Sequence, residues 1–436
     1  MVTTRSVCPA CGAKGGPDLI RCAACGDLVE VRHERESAIA AGTYREALEA
    51  RRGSRERLDR SGVWRFRELV APTVADEHVV SLPEGNTPLY ESERLGRWVG
   101  LSRPLLLKHE GMNPTGSFKD RGMTVGVSVA RSRGARAVAC ASTGNTSASL
   151  AAYAARAGMR GVVFIPEGKI ASGKLAQTLA YGARVVQVRG SFDRAMALVE
   201  EAAGPLGLYL LNSVNPWRIE GQKAIPLEIL DDLGWTPPDW IALPAGNLGN
   251  TSAFGKALRE AKVAGLIAHA PRLASIQAEG ASPFARLWRS LRAAGADLAK
   301  ARLDPEPRPE TVATAIRIGD PRSWRKALIA LAETDGVCDA VSDAEILDAK
   351  AMVDADGIGC EPGSAASVAG VKKLVAAGTI AKDARVVCVL TGHVLKDPET
   401  TWAYHTGEKK HALANVPVQA PDTIDGLRAA LARDLA

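Results

Sequence analysis

The chain has 436 residues, enough for two or three units with sizeable cores. Hydrophobic residues make up 46% of it and charged residues 24%, an ordinary globular balance. The net charge of +6 is spread among interspersed acids and bases, which argues against a nucleic-acid surface, and no apolar run approaches the ~20 residues that span a bilayer.

The N-terminus, MVTTRSVCPACG, lacks an apolar signal core, so the expected compartment is the cytoplasm. Cys8-x-x-Cys11 and Cys22-x-x-Cys25 make two knuckles, each followed by glycine and separated by ten residues. Four thiolates at this spacing can close a tetrahedron around Zn²⁺, and so short a segment would hardly fold without one. Such a site is structural, with no open position for chemistry. The alternatives are free or oxidised cysteines and a DNA-binding ribbon. The intervening GAKGGPDLIR has two basic residues and no aromatic, which argues against DNA. Cys140, Cys338, Cys360 and Cys388 sit among apolar neighbours and read as small buried hydrophobes. His33 is expected at the surface, at the end of a short strand over 28–32. Residues 37–58 read as a solvated connecting helix, after which Trp64 and Phe66 begin an apolar region.

Residues 81–92 (SLPEGNTPLYES) are punctuated by Gly, Pro and Asn and lead to a short strand and helix. A strand over 105–111 runs straight into NPTGSFKDRG at 113–122. There an Asn-Pro-Thr-Gly turn precedes a helix over 118–133, so Lys119 falls in the first turn, where the helix dipole disfavours a cation. That place suits an amine that sheds its proton and attacks an aldehyde. Taken alone, an ordinary exposed lysine is the plainer reading; the loops downstream decide against it. Strands over 137–142, 162–166, 183–188, 208–213, 239–246, 272–280 and 384–392 alternate with helices over 146–157, 171–181, 192–203, 219–232, 251–264 and 363–376. The alternation predicts an α/β protein with parallel sheets covered on both faces.

Ligand loops in such sheets lie at the carboxyl ends of strands. Ser142–Ser147 (STGNTS), Gly246–Thr251 (GNLGNT) and Thr391–His393 (TGH) lie there. The first two open helices with glycines, hydroxyls and amides, a cup of N–H groups suited to an anion. Either alone reads as a capped helix start. Two cups and a loop lysine together point to pyridoxal phosphate. The glycines do not follow the G-x-G-x-x-G pattern of a dinucleotide fold, and a Walker A loop is also absent.

EGNTPL, NPTGSFKDRG, STGNTSAS, NSVNPWRIEGQK, PAGNLGN, TAIRIGDPRSW, CEPGSAAS and TGHVLKDP occur in that order over 81–398. The set resembles the threonine synthases, pyridoxal-phosphate enzymes of the tryptophan-synthase-β-like fold type II, and the paired knuckles also look like those of some members. The resemblance implies a domain plan of a zinc-ribbon-like segment (1–36), a helical linker (37–60), a large cofactor-binding domain (61–125 and 215–408), a small mobile domain (126–214) and a tail (409–436) ending in a packed helix over 423–435. It also implies that Lys119 joins the cofactor and then moves protons, that Phe118 flanks the ring, and that Asn145 meets the ring's oxygen. Gly246, Asn247, Leu248, Gly249 and Asn250 match the cofactor phosphate cup, and Thr391 the hydroxyl facing the ring nitrogen. Asn113, Ser142, Thr143 and Thr146 match the grip on the amino-acid end of the substrate. Asn212, Ser213 and Arg218 match the grip on its phosphate, and an arginine fork suits a phosphate dianion.

The implied reaction turns O-phospho-L-homoserine and water into L-threonine and phosphate by β,γ-elimination and replacement, in a homodimer that binds neither nucleic acid nor membrane. His393 and Val394 depart from many relatives and read as natural variation; 297–310 reads as a loop. Cysteate synthase, using O-phosphoserine and sulfite, is the nearest rival. Dehydratases and O-acetylserine-type enzymes need no distal phosphate grip. A zinc-ribbon binding protein with an inactive enzyme body is disfavoured by the joint presence of Lys119, Asn145, the Gly246 cup and Thr391.

Overall fold

The computed structural model describes residues 2–35, 40–167, 172–189, 198–409 and 411–432. Three sheets organise them. Strands β1 (Val2–Val7), β2 (Lys14–Gly15) and β3 (Glu30–Arg35) form an antiparallel ribbon in the order β2-β1-β3. The largest sheet uses β4 (Leu89–Ser92), β5 (Leu105–His109), β10 (Trp240–Pro244), β11 (Arg272–Ala278), β12 (Val337–Val341) and β13 (Val386–Leu390), in the order β12-β11-β10-β13-β5-β4. Only β4 runs antiparallel, at the edge. The smaller sheet is wholly parallel, β8-β7-β6-β9, from β6 (Ala137–Ala141), β7 (Arg160–Pro166), β8 (Arg184–Val188) and β9 (Leu208–Leu210).

Every residue of β5, β10 and β13 is buried, because helices cover both faces; β10 and β13 are accordingly continuous apolar runs, and β5 is one as far as Lys108, whose buried amine is ion-paired. The fold is therefore the expected α/β type, two open parallel sheets of the type II kind plus a small ribbon. Strand β12 and its flanking helices Trp324–Glu333 and Asp343–Ala355 were not legible. The sequence of β12, VCDAV, places a half-buried Asp339 inside a five-residue edge strand and so lacks the apolar run of the central strands.

Four other expectations change. The helix over 219–232 is two helices, Pro216–Gln222 and Ala224–Asp232, because Pro226 has no amide to continue the ladder across Lys223. The connecting helix, Ala41–Arg52, is not merely solvated: Tyr44 and Leu48 enter the main core beside Trp64 and Phe66, and ribbon residue Val31 joins them. His33 is no surface residue either. Its ring lies within 3.1 Å of a Glu220 carboxylate oxygen, 3.2 Å of the Val70 carbonyl and 2.9 Å of the Thr4 hydroxyl. The tail helix, Ile424–Leu431, buries no side chain, leaving Ile424, Leu427 and Leu431 exposed. Residues 192–197 of another expected helix lie outside the described residues. Among the described residues no helix is long and apolar enough to cross a membrane.

Candidate active site

The helix Lys119–Ser132 begins at the lysine itself. The preceding turn is fixed by Asp120, whose carboxylate accepts from the Thr115 amide (2.7 Å), the Thr115 hydroxyl (2.6 Å) and the Ser149 hydroxyl (2.6 Å). Burial pushes the Asp120 carboxyl up to about 6 against those donors. Below it lies a buried ion cluster. Arg121 donates to Glu110 (2.6 Å) and Glu228 (2.9 Å), and Lys108 pairs with Glu228 (2.7 Å) and Asp232 (2.8 Å). Asn113 is spent on the same scaffold: its oxygen accepts from the Gly85 amide (2.9 Å) and its nitrogen donates to Glu110.

Lys119 itself is half-buried, its Nζ 4.0 Å from the centre of the Phe118 ring. Burial first, and the Arg218 guanidinium second, bring its pKa down to about 7, with Glu361 opposing. Burial and Arg218, rather than the helix dipole suggested by the sequence, favour the neutral amine near pH 7.

The glycine loops converge on this lysine. The Thr391 carbonyl accepts from the Phe118 amide (3.0 Å), and the His393 amide donates to the Gly116 carbonyl (3.0 Å), strapping the loop after β13 to the lysine turn. Thr391 Oγ1 lies 3.1 Å from Ser364 Oγ. Asn145 opens the helix Asn145–Ala157 and donates through Nδ2 to both Glu361 oxygens, at 3.0 and 3.2 Å. Ser142 accepts from the Gly144 amide (3.2 Å), shaping the cup, while Thr143 and Thr146 are half-buried beside it.

On the anion side, Asn212 Oδ1 accepts from the Ala141 amide (2.9 Å) and Asn247 Nδ2 donates to Ser213 Oγ (2.6 Å), so the loops after β9, β6 and β10 are tied together. A side chain at Gly246 would crowd the Ile316 backbone at 3.1 Å, and Leu248 holds a left-handed φ of 62° as the helix Gly249–Val263 begins. Arg218 is fully buried, donates to the Leu211 carbonyl (3.1 Å) and has no carboxylate partner among the described residues. Burial lowers its pKa to about 10. Its Nε has no acceptor, and neither polar atom of the Asn250 side chain has a partner.

Buried donors without acceptors cost free energy unless a ligand supplies them. The free Nε of Arg218, the orphaned Asn250 amide and the near-neutral Lys119 amine are what a phosphate-bearing aldehyde requires, so the residues fit pyridoxal phosphate. Two residues at the site were given no role in the sequence. Glu361 lies inside the CEPGSAAS motif, and burial raises its carboxyl pKa. Lys396, in VLKDP, reaches from the loop after β13 to Gln177 on the helix Ser172–Ala180. Position in a motif was the available signal; the contacts across the cleft were not readable from one chain of letters.

At the other end, the Sγ atoms of Cys8, Cys11, Cys22 and Cys25 all lie within 4.8 Å of one another. Cys22 is brought down to about 7 by the amides of Cys25 and Ala24. The donor set and spacing fit a tetrahedral zinc ion.

Comparison with known proteins gives one answer. Residues 80–392 match the family described as pyridoxal-phosphate dependent enzymes. The chain is 47% identical over 396 residues to the threonine synthase of Methanosarcina acetivorans, covering 90% of this chain and 92% of that one. It is 46% identical to the threonine synthase of Methanocaldococcus jannaschii, covering 90% and 93%. Among solved structures, maize serine racemase superimposes with a TM-score of 0.62 at 21% identity, over 78% of this chain and 94% of that one, a likeness of fold.

Proposed function

The chain belongs to the threonine synthases within the pyridoxal-phosphate-dependent enzymes, and from that membership we propose that it makes L-threonine and phosphate from O-phospho-L-homoserine and water. It is a pyridoxal-phosphate-dependent lyase. The observation that carries the substrate is Arg218, a buried guanidinium with no counter-ion among the described residues, close enough to Lys119 to depress its pKa. Its fork suits a phosphate dianion, with Asn212 and Ser213 lining the same loop.

Lys119, Phe118, Asn145, Thr391 and the cup Gly246–Asn250 would hold the cofactor. When bound, it supplies delocalisation of the negative charge left on carbon after proton removal. Lys119 Nζ accepts and returns the protons, a task for which a pKa of about 7 is matched to neutral pH. Arg218 anchors the phosphate before and after it departs. Ser142, Thr143 and Thr146 are assigned to the amino-acid end of the substrate, while Asn113, its side chain taken up by Gly85 and Glu110, braces the lysine loop. Residues 126–214 are assigned to a lobe that closes and excludes water, the large domain being 61–125 with 215–408. The functional unit is proposed to be a homodimer, which light scattering would check.

Phosphate release from O-phospho-L-homoserine beside O-phospho-L-serine tests the assignment, with products identified and Lys119→Ala as control. Threonine formed only from the homoserine ester, and abolished with Lys119, is expected. A sulfite-dependent product from phosphoserine alone would move the chain to cysteate synthesis.

The four cysteines are proposed to hold one structural zinc. Cys22→Ser is expected to lose the metal and lower the melting temperature, while the folded fraction keeps its turnover. A zinc-free Cys22→Ser protein of unchanged stability would remove the metal from the account.

A further inference from the structure

Well away from the lysine turn, a cavity of about 500 Å³ opens on the surface, walled by Arg55, Arg57, Arg60, Arg131 and Arg156, with Glu77 as the one carboxylate among the described residues that line it. Arg131 and Arg156 come from the last turns of the helices Lys119–Ser132 and Asn145–Ala157. The other three come from the segment after the connecting helix. At 1.5 Å per residue, the first helix alone separates Arg131 from Lys119 by roughly 18 Å, so this is not the catalytic cleft.

Charge pairing distinguishes these arginines from their neighbours. Arg51, Arg52, Arg65 and Arg67 each meet a carboxylate, at 2.6 to 3.0 Å for the shortest contact of each. Arg55, Arg60, Arg131 and Arg156 meet none among the described residues. Arg57 is held in place by donating to the carbonyls of Asp76 (2.6 Å) and Val79 (3.1 Å). Arginine in the last turn of a helix complements its dipole, which accounts for Arg131 and Arg156 individually. It does not account for the three others that meet them across one concavity. Five guanidinia against a single carboxylate focus a positive potential that an anion relieves.

We propose that this cavity is a second anion site, taking a small organic polyphosphate of the nucleoside diphosphate class. Its volume falls in the range of sites for small ligands, arginine forks match terminal phosphates, and Val79, Val80 and Pro83 give the wall an apolar portion for a ring. The site is independent of the reaction assigned above, yet its wall reaches the catalytic scaffold. Ser81 donates to Glu84 (3.0 Å), and Glu84 accepts from Tyr153 (2.7 Å) on the helix that Asn145 opens. Next to it, the Gly85 amide donates to Asn113 in the lysine loop.

Calorimetric titration of the holoenzyme with ADP at constant ionic strength tests this, with inorganic pyrophosphate as competitor. Saturable binding at one site per chain is expected, displaced by pyrophosphate and weakened at least about tenfold in R60E/R156E, with ADP-free turnover unchanged. R131Q, a milder change, is expected to weaken binding by a smaller factor. No saturable binding, binding equal in all three proteins, or displacement of ADP by O-phospho-L-homoserine one for one would each overturn the proposal.

Discussion

Lys119 shows how much chemistry one position can announce. Its place in a helix's first turn was readable from the NPTG turn alone, and with it the depressed basicity. What could not be read was the cause: burial and the Arg218 guanidinium, which is 99 residues further along the chain and reaches the site only through the fold. The shift makes a pH prediction. Only the neutral amine attacks an aldehyde, so below about 7 its reactive fraction falls tenfold per pH unit, and above 7 it saturates. The rate at which cofactor-free protein takes up pyridoxal phosphate, followed by absorbance, is expected to rise to near pH 7 and then flatten. A rate still climbing at pH 9 would mean an ordinary lysine. Glu361 was illegible for a related reason: as a letter it is one acid among 49 Asp and Glu, and only the fold sets it against Asn145.

At the scale of elements, the ribbon was legible as four cysteines and not as a docked part. It rests on the helix Pro216–Gln222, which carries Arg218: the Trp217 indole donates to the Pro17 carbonyl (3.1 Å), and His33 meets Glu220. Burial lowers the His33 pKa, against the pull of Glu220 and together with Lys223 and Lys256. The sign follows. Undocked, the imidazole takes up a proton near pH 6.5; docked, it does so only at lower pH. Docking is therefore strongest above 6.5 and weakens as pH falls through it. Hydrogen exchange in β1 and β3 is expected to speed up between pH 7 and 5.5 relative to β10 and β13, after correction for intrinsic rates. His33→Gln should flatten that ratio; an unchanged ratio would remove His33 as its source. The central strands, by contrast, were plain in the sequence because burial on both faces leaves an unbroken apolar run.

For the whole molecule, the order of strands in each sheet is what the letters withheld. Alternating strands and helices imply parallel sheets, but the splitting into a six-stranded and a four-stranded sheet depends on which strands meet across the chain. The tail marks the opposite limit, since its helical pattern was visible and its lack of packing was not. Because Ile424–Leu431 buries nothing, deleting residues 420–436 is expected to move the melting temperature by less than about 2 °C and leave turnover intact, as for changes at free surfaces. A larger loss in calorimetry would show that this helix is covered in the assembled enzyme.

The buried cluster of Arg121, Glu110, Glu228 and Lys108, with Asp232 at its solvent edge, also bears on how such a chain can drift. Removing one member strands a buried charge, at about 3–5 kcal/mol, whereas exchanging the whole group for apolar residues can be neutral. Single-letter steps away from the present set lead downhill in fitness, and the harmless destinations are several simultaneous replacements distant. The floor beneath the lysine is thus inherited as a block, while the side chains of the tail helix, which bury nothing, remain free to change one at a time.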